Sequence, residues 1–253
     1  MSLSEYLTIE KIQLKFKLLI EIMRLEGFSA YSNYFQALQY KKLFDLLETF
    51  SIKNSNILDW GGGLGHLSVM ISLLGRNATL FSIVDKSYHW DKIASKYSLN
   101  IVFEPEAVKS LSLKDNSFDC AISCGVLEHV RETGGNELES LIELKRVLVK
   151  NGIIIVYHLP QKYSWIEFIS RNFRKTYSHP YRYQKKDIEA LLKKGEIGDL
   201  IKYQRYQFLP RRWTEKMPTS YFLAILFDWL DNFLCKTPLK FFAQCQLFVV
   251  RVK

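Results

Sequence analysis

Asn56-Ile57-Leu58-Asp59-Trp60-Gly61-Gly62-Gly63-Leu64-Gly65-His66 joins a short apolar run to a bend of four glycines. The first five residues read as a strand. The stretch from His66 to Leu74, stopped by Gly75, reads as a helix. Glycine has no Cβ, so the chain between them can turn sharply and a ligand can approach its main chain. The helix that follows starts with N–H groups that lack intrahelical partners. The dinucleotide fingerprint G-x-G-x-x-G is not met, because its last position falls on His66 counted from Gly61 and on Ser68 counted from Gly63. No Gly-Lys-Ser/Thr follows, so the Walker A pattern fails too. The bend therefore suits a nucleoside ligand without a bound pyrophosphate.

Working outward, strand and helix alternate at short spacing. Strands are expected at 79–84, 100–103, 118–124 and 153–157, with helices at 89–97 and 136–149, the latter ended by Asn151-Gly152. Such alternation predicts a parallel sheet with helices on both faces, whose ligands bind at the carboxyl ends of the strands. Upstream, 5–26 and a segment from Tyr31 or Tyr34 to Thr49 read as helices, giving N-terminal cap helices over 1–50. Downstream of Pro160 the regularity weakens. A helix is expected at 185–194, a strand at 200–208, a helical insertion at 213–236 and a last strand at 246–252.

Several stretches resemble the class I S-adenosylmethionine-dependent methyltransferases. Their first motif is an acid followed by G-x-G-x-G after the first strand, and Asp59, Gly61, Gly63 and Gly65 match it without gaps, with Gly62 inside it. Asp85 follows the second strand, where a carboxylate can accept both ribose hydroxyls. The resemblance assigns it to the ribose, with Lys86 beside the adenine. Glu106-Ala107, ahead of Leu111 and Asn116-Ser117-Phe118-Asp119, is similar to the family's adenine-contacting stretch, although Ser112 replaces its proline. Cys124-Gly125-Val126-Leu127-Glu128-His129-Val130 resembles the Leu-Glu-His-Val signature of ubiquinone- and menaquinone-type small-molecule enzymes. Glu143-Leu144-Lys145-Arg146-Val147-Leu148, with Asn151-Gly152, is similar to their E-x-x-R-V-L-K-P-G-G. These matches run in order over about 55–160. They imply a Rossmann-like seven-stranded, mostly parallel sheet with an antiparallel last strand, a methyltransferase domain over 51–253, S-adenosylmethionine as cofactor and S-adenosylhomocysteine as product. The cofactor residues so implied are Asp59, Gly61, Gly62, Gly63, Gly65, Asp85, Lys86, Glu106, Ala107, Cys124 and Gly125.

His129 is the candidate general base, since an imidazole near neutrality can take an acceptor proton as the methyl group arrives. Shaping the pocket by hydrogen bonds to the backbone explains it equally well, and explains Glu128 better. The sulfonium is already a strong electrophile, so methyl transfer asks mainly for alignment and exclusion of water. Two insertions, 159–184 and 210–243, are expected to cap the acceptor. Within the first, His179-Pro180-Tyr181-Arg182-Tyr183 resembles a His-x-x-Arg-aromatic element of the family. His158, His179 and Arg182 are the acceptor-binding candidates. No metal is expected: no cysteine spacing fits a zinc site, and Gly125 and Val126 add no carboxylate beside His129.

The formal net charge of +9 is concentrated. Between Gln161 and Lys216 fourteen Lys or Arg stand against six acids. That points to an anionic partner, a small or lipid-linked acidic substrate, or a membrane surface. The run Tyr221–Leu234 contains Asp228 and Asp231, so it falls short of the roughly 20 apolar residues of a spanning helix. It reads as a lid helix or an interfacial one. No signal-peptide pattern opens the chain, and Cys120 and Cys124, four apart on a strand, sit roughly 13 Å from each other, too far for a disulfide. The cytoplasm is expected, with contact at the inner face of a membrane left open. RNA methylation is the charge-driven alternative. The chain carries neither an Asn/Asp-Pro-Pro-aromatic motif after its fourth strand nor a Pro-Cys nucleophile, so nucleic acid is not the expected partner. A non-catalytic binding module is the remaining alternative, and an intact glycine bend with Asp85 argues against it.

Overall fold

The computed structural model describes residues 3–105, 110–174, 178–210, 214 and 220–253. Seven strands form one sheet: β1 (Asn56–Trp60), β2 (Asn77–Ser82), β3 (Asn100–Phe103), β4 (Phe118–Cys124), β5 (Leu148–Pro160), β6 (Gly198–Tyr206) and β7 (Cys245–Val252), in the order β3-β2-β1-β4-β5-β7-β6. The first five are parallel, and β7 runs antiparallel to both β5 and β6. The seven-stranded, mostly parallel Rossmann-like sheet with an antiparallel last strand is thus observed. Strand order reverses between β1 and β4, which is where such a sheet opens a crevice for a ligand.

The central strands are apolar because both of their faces are covered. Ile154, Ile155 and Val156 of β5 are fully buried between β4 and β7, and each such side chain contributes about 1.5–3 kcal/mol of transfer free energy. One face packs on α1 (Leu3–Leu25), α2 (Tyr34–Leu38), α3 (Lys41–Phe50) and α4 (His66–Leu73), in a core containing Phe16, Met23, Phe44 and Met70. The other packs on α6 (Glu137–Val147) and α8 (Lys185–Lys194), through Leu141, Leu144 and Ile188. Between β2 and β3 lies α5 (Ser87–Ala94). After β5 comes the short α7 (Trp165–Ile169), and between β6 and β7 lies α9 (Tyr221–Leu234).

The E-x-x-R stretch proves to be a clamp. Arg146 donates to the carbonyls of Leu111 (2.7 Å) and Leu113 (2.9 Å), while the Glu143 carboxylate accepts from the Leu111 N–H (2.9 Å). One face of α6 thereby fixes the approach to β4.

Three expectations are corrected. The second N-terminal helix is broken at Gln39–Tyr40 into α2 and α3, with Asn33 capping α2 through the Gln36 N–H (2.9 Å). The Gln39 carbonyl there accepts from the Tyr157 hydroxyl, and Tyr40 inserts its ring against His66 and His158. Second, Asn151-Gly152 does not end a helix: α6 stops at Val147, and the pair bends β5 inside its own span, with Asn151 at φ +64°. Third, β2 begins and ends two residues earlier than expected, because its parallel register with β1 pairs Asn56 with Asn77 and Trp60 with Phe81. Beyond it the Ser82 hydroxyl turns the chain by accepting from the Val84 N–H (3.1 Å).

Candidate active site

The glycine bend sits at the carboxyl end of β1, tied to its neighbour by N–H donation from Gly61 (2.9 Å) and Gly62 (3.0 Å) to the Phe81 carbonyl. Its glycines have different duties. Gly61 has φ +78°, and a Cβ there would lie 2.5 Å from Val126 Cγ2. Gly63 has φ +51°, and a Cβ there would meet nothing nearer than the Gly61 carbonyl at 3.9 Å, so this is where a ligand can reach the main chain. Gly62 packs on Leu80 and Asp59, and Gly65 on Ile93, so both serve helix–strand packing. The Trp90 indole N–H holds the bend from below by donating to the Gly63 carbonyl (2.9 Å).

Beside the bend opens a cleft of about 330 Å³, lined by Trp60, Gly61, Gly63, Phe81 to Val84, Lys86, Gly125, Val126, His129, Val130 and Thr133. Aliphatic and aromatic walls, an open glycine backbone and one lysine suit a flat base with a charged tail. Asp85 is fully exposed just outside this wall, and its carboxylate accepts from the Ser87 N–H (2.8 Å), which holds its pKa below the usual carboxyl range. Asp59 does not face the cleft. It is 2 % exposed, accepts from the Ser68 hydroxyl (2.6 Å), and burial, opposed by Ser68, pushes its carboxyl up to about 7. Its place is inside the turn, as a positioning residue. Cys124 likewise stays outside the cleft lining: its thiol, pushed well above the usual range by burial, lies in the core beneath the N-terminal helices. Glu106 and Ala107 lie outside the described residues.

On the other side of the bend is a chamber under the cap. Leu64 and His66 form its floor, and Phe28 to Ala30, Ser32, Gln36 and Tyr40 form its walls. Behind it Tyr40, His66, Tyr157, His158 and Tyr206 form a continuous aromatic cluster. His158, at φ +62°, has its Nδ1 3.0 Å from the Tyr206 hydroxyl, which also accepts from the His158 N–H (2.8 Å). Burial lowers the His66 pKa to about 4, so it is neutral, and its Nε2 has no hydrogen-bond partner among the described residues.

His129 and His179 come together, 5.6 Å between ring centroids, while His158 sits in the separate aromatic cluster. His179 is held by Glu167, whose oxygens accept from its Nδ1 side (2.9 Å) and its backbone N–H (3.0 Å). Arg182 lines a shallow hollow with Arg131, Tyr181 and Lys194. Sequence reasoning did not find Trp60, Trp90, Tyr40, His66 or Tyr206 as site residues. Trp60 and His66, flanking the glycines, were the two that motif spacing could have flagged. It also set Glu128 aside, although this residue is 2 % exposed in the turn Leu127–Thr133 after β4, with Oε2 unpartnered among the described residues.

A glycine bend, an open crevice at the strand reversal and an apolar cleft beside them define a class I S-adenosylmethionine-dependent methyltransferase. Residues 58–156 match the family model described as a methyltransferase domain. S-adenosylmethionine is its methyl donor. When bound it supplies an electrophilic methyl group, and the chain's part is to orient it and exclude water. Solved structures share the fold. The MccD protein aligns with TM-score 0.60 at 14 % identity, over 84 % of this chain and 97 % of its own. A possible histamine N-methyltransferase of Thermotoga maritima aligns with TM-score 0.56 at 16 % identity, over 92 % and 94 %. Phosphoethanolamine N-methyltransferase 2 of Haemonchus contortus, in complex with S-adenosylmethionine, aligns with TM-score 0.57 at 17 % identity, over 84 % of this chain and 52 % of its own. No curated protein matches the chain in sequence.

Proposed function

We propose that the chain methylates a small anionic acceptor carried on a lipid, taking it from an anionic membrane surface. The observation that carries this reading is α9. Phe222, Leu223, Ile225, Leu226, Trp229, Leu230 and Phe233 are all exposed on it, at 42 to 74 %, and Leu239, Phe241 and Phe242 extend the surface. A patch of this kind marks an interaction site rather than ordinary solvent-facing surface. Its charge favours a bilayer. Lys236 and Lys240 are exposed beside it, and Arg205 lies over the Phe241 ring at 4.5 Å. Neither acid of 221–242 is exposed: Asp228 is half-buried and accepts from Asn232 (2.8 Å), and Asp231 is buried and accepts from the Leu209 N–H (2.6 Å). Apolar and aromatic side chains ringed by cations suit the boundary between headgroups and acyl chains.

The same helix packs on α2 through Phe35–Phe227 and Tyr34–Tyr221, and Gln36 of α2 walls the chamber beside the glycine bend. A lipid-borne acceptor at the α9 surface would therefore have a short path to that chamber, where neutral His66, Tyr40, Gln36 and Ser32 can hold its polar group. Among the described residues no helix is long and apolar enough to cross a membrane, so the contact proposed is peripheral.

Sedimentation with vesicles tests it. The protein is expected to pellet with phosphatidylcholine vesicles containing phosphatidylglycerol and to stay in the supernatant with phosphatidylcholine alone. Phe222→Asp with Trp229→Asp should weaken that binding at least about 10-fold and leave S-adenosylhomocysteine affinity unchanged. Equal recovery with both vesicles, or a solution dimer that the same pair of substitutions splits, overturns the reading.

A further inference from the structure

Glu128, His129 and His179 each bring one ligating atom to within 4.8 Å of the other two. They come from the turn Leu127–Thr133 after β4 and from the segment before α8, fifty residues apart in the chain, and meet at the rim of the cofactor cleft, which His129 lines. Both imidazoles are backed by carboxylates: Glu132 Oε1 is 3.0 Å from His129 Nδ1, and Glu167 Oε1 is 2.9 Å from His179 Nδ1. Each Nδ1 thus faces a carboxylate, which leaves Nε2 as the ring's other nitrogen. Carboxylate-oriented histidines of this kind surround metal ions. Glu167 is itself 4 % exposed and also accepts from the His179 backbone N–H (3.0 Å).

Glu128 is the second, independent observation. It is 2 % exposed, and its Oε2 has no hydrogen-bond partner among the described residues. Buried carboxylate oxygens are rarely left unsatisfied, and one that is calls for an explanation such as an ion. Two ion pairs holding a loop would account for the histidines, but not for this oxygen.

We infer that Glu128, His129 and His179 form a binding site for a divalent transition-metal ion of the zinc class. Two imidazoles and one carboxylate suit zinc and its neighbours, whereas magnesium and calcium prefer all-oxygen sets. Three protein ligands leave a fourth position open to water. Bonds of about 2.0–2.2 Å set tetrahedral ligands about 3.5 Å apart, so the three groups close a little on binding. The His129 and His179 side chains, 35 % and 23 % exposed, have room to do so.

Cobalt(II) titration tests the site, using the full chain after tag removal and dialysis against chelator. One equivalent should produce visible d–d absorption, displaced by zinc, with no acceptor present, so the result stands apart from the membrane and acceptor reading. Glu128→Gln and His179→Ala should weaken binding at least about 10-fold, and Glu167→Gln, which removes only the backing carboxylate, about 10- to 100-fold. His129→Ala, on a partly exposed side chain, serves if a buried variant unfolds by circular dichroism. A wild-type chain that binds S-adenosylhomocysteine but shows no saturable cobalt absorption overturns the inference. So do variants that bind cobalt as the wild type does.

Discussion

The cleft side of the glycine bend is made of main chain and aliphatic walls drawn from short stretches next to β1, β2 and β4. The cap side is made of imidazoles and phenols whose partners come from distant segments: Tyr40 from the break between α2 and α3, His158 from the end of β5, Tyr206 from the end of β6. A cofactor common to a large family needs a shape that a local motif can encode. An acceptor particular to one enzyme is recognised by side chains that only the fold assembles. The two sides should therefore fail differently when altered.

The largest loss is expected on the cleft side. Gly61→Ala puts a Cβ 2.5 Å from Val126 at a residue with φ +78°, adding about 1–2 kcal/mol of left-handed strain to about 1–3 kcal/mol of overpacking. Calorimetry should show S-adenosylhomocysteine affinity lowered by more than about 100-fold if that distortion falls on the bound state. Gly27→Ala, also at φ +78° but with nothing within 4 Å among the described residues, should leave the affinity unchanged. Equal effects would mean that backbone strain alone, rather than the shape of the bend, governs binding.

A smaller loss is expected at Asp85. On the ribose role that the motif implies for its carboxylate, Asp85→Ala should weaken the same ligand about 10- to 100-fold. An unchanged affinity would confine Asp85 to its contact with Ser87 and move ribose recognition elsewhere.

The smallest effect concerns stability. Burial raises the Asp59 carboxyl from an ordinary 3.8 to about 7, so the folded chain keeps a proton that the unfolded chain releases. This contribution is fully present below about pH 4 and is lost as pH rises through about 7. Asp59→Asn keeps an acceptor for Ser68 without the buried charge. Its melting temperature should exceed that of the wild type at pH 8 by a few degrees, with a flatter profile between pH 4 and 7. A wild-type profile that is already flat there would show the carboxyl to be ordinary.

Legibility followed the same divide. β1, β3, β4 and α8 have the bounds their residues announce, because apolar runs with polar punctuation form these elements whatever surrounds them. The broken helix at Tyr40 was illegible: its sequence continues helically, and the break exists because a carbonyl meets Tyr157 and a ring meets His66 across the fold. Asp59 was read as a ligand contact because it adjoins the glycines, yet its side chain points into the turn toward Ser68. No metal was expected because Gly125 and Val126 add no carboxylate to Glu128 and His129; that His179, fifty residues further on, comes within 4.8 Å of both is set by the fold alone.

From its order of residues alone the chain determined a parallel sheet, a glycine bend and a methyl donor, because strand patterning and a Cβ-free turn act over a few residues. Tertiary structure decided which carboxylates are buried and raised, which imidazoles face one another and which apolar helix is left bare. Those properties depend on desolvation and on distances between segments fifty or more residues apart, which no local pattern records.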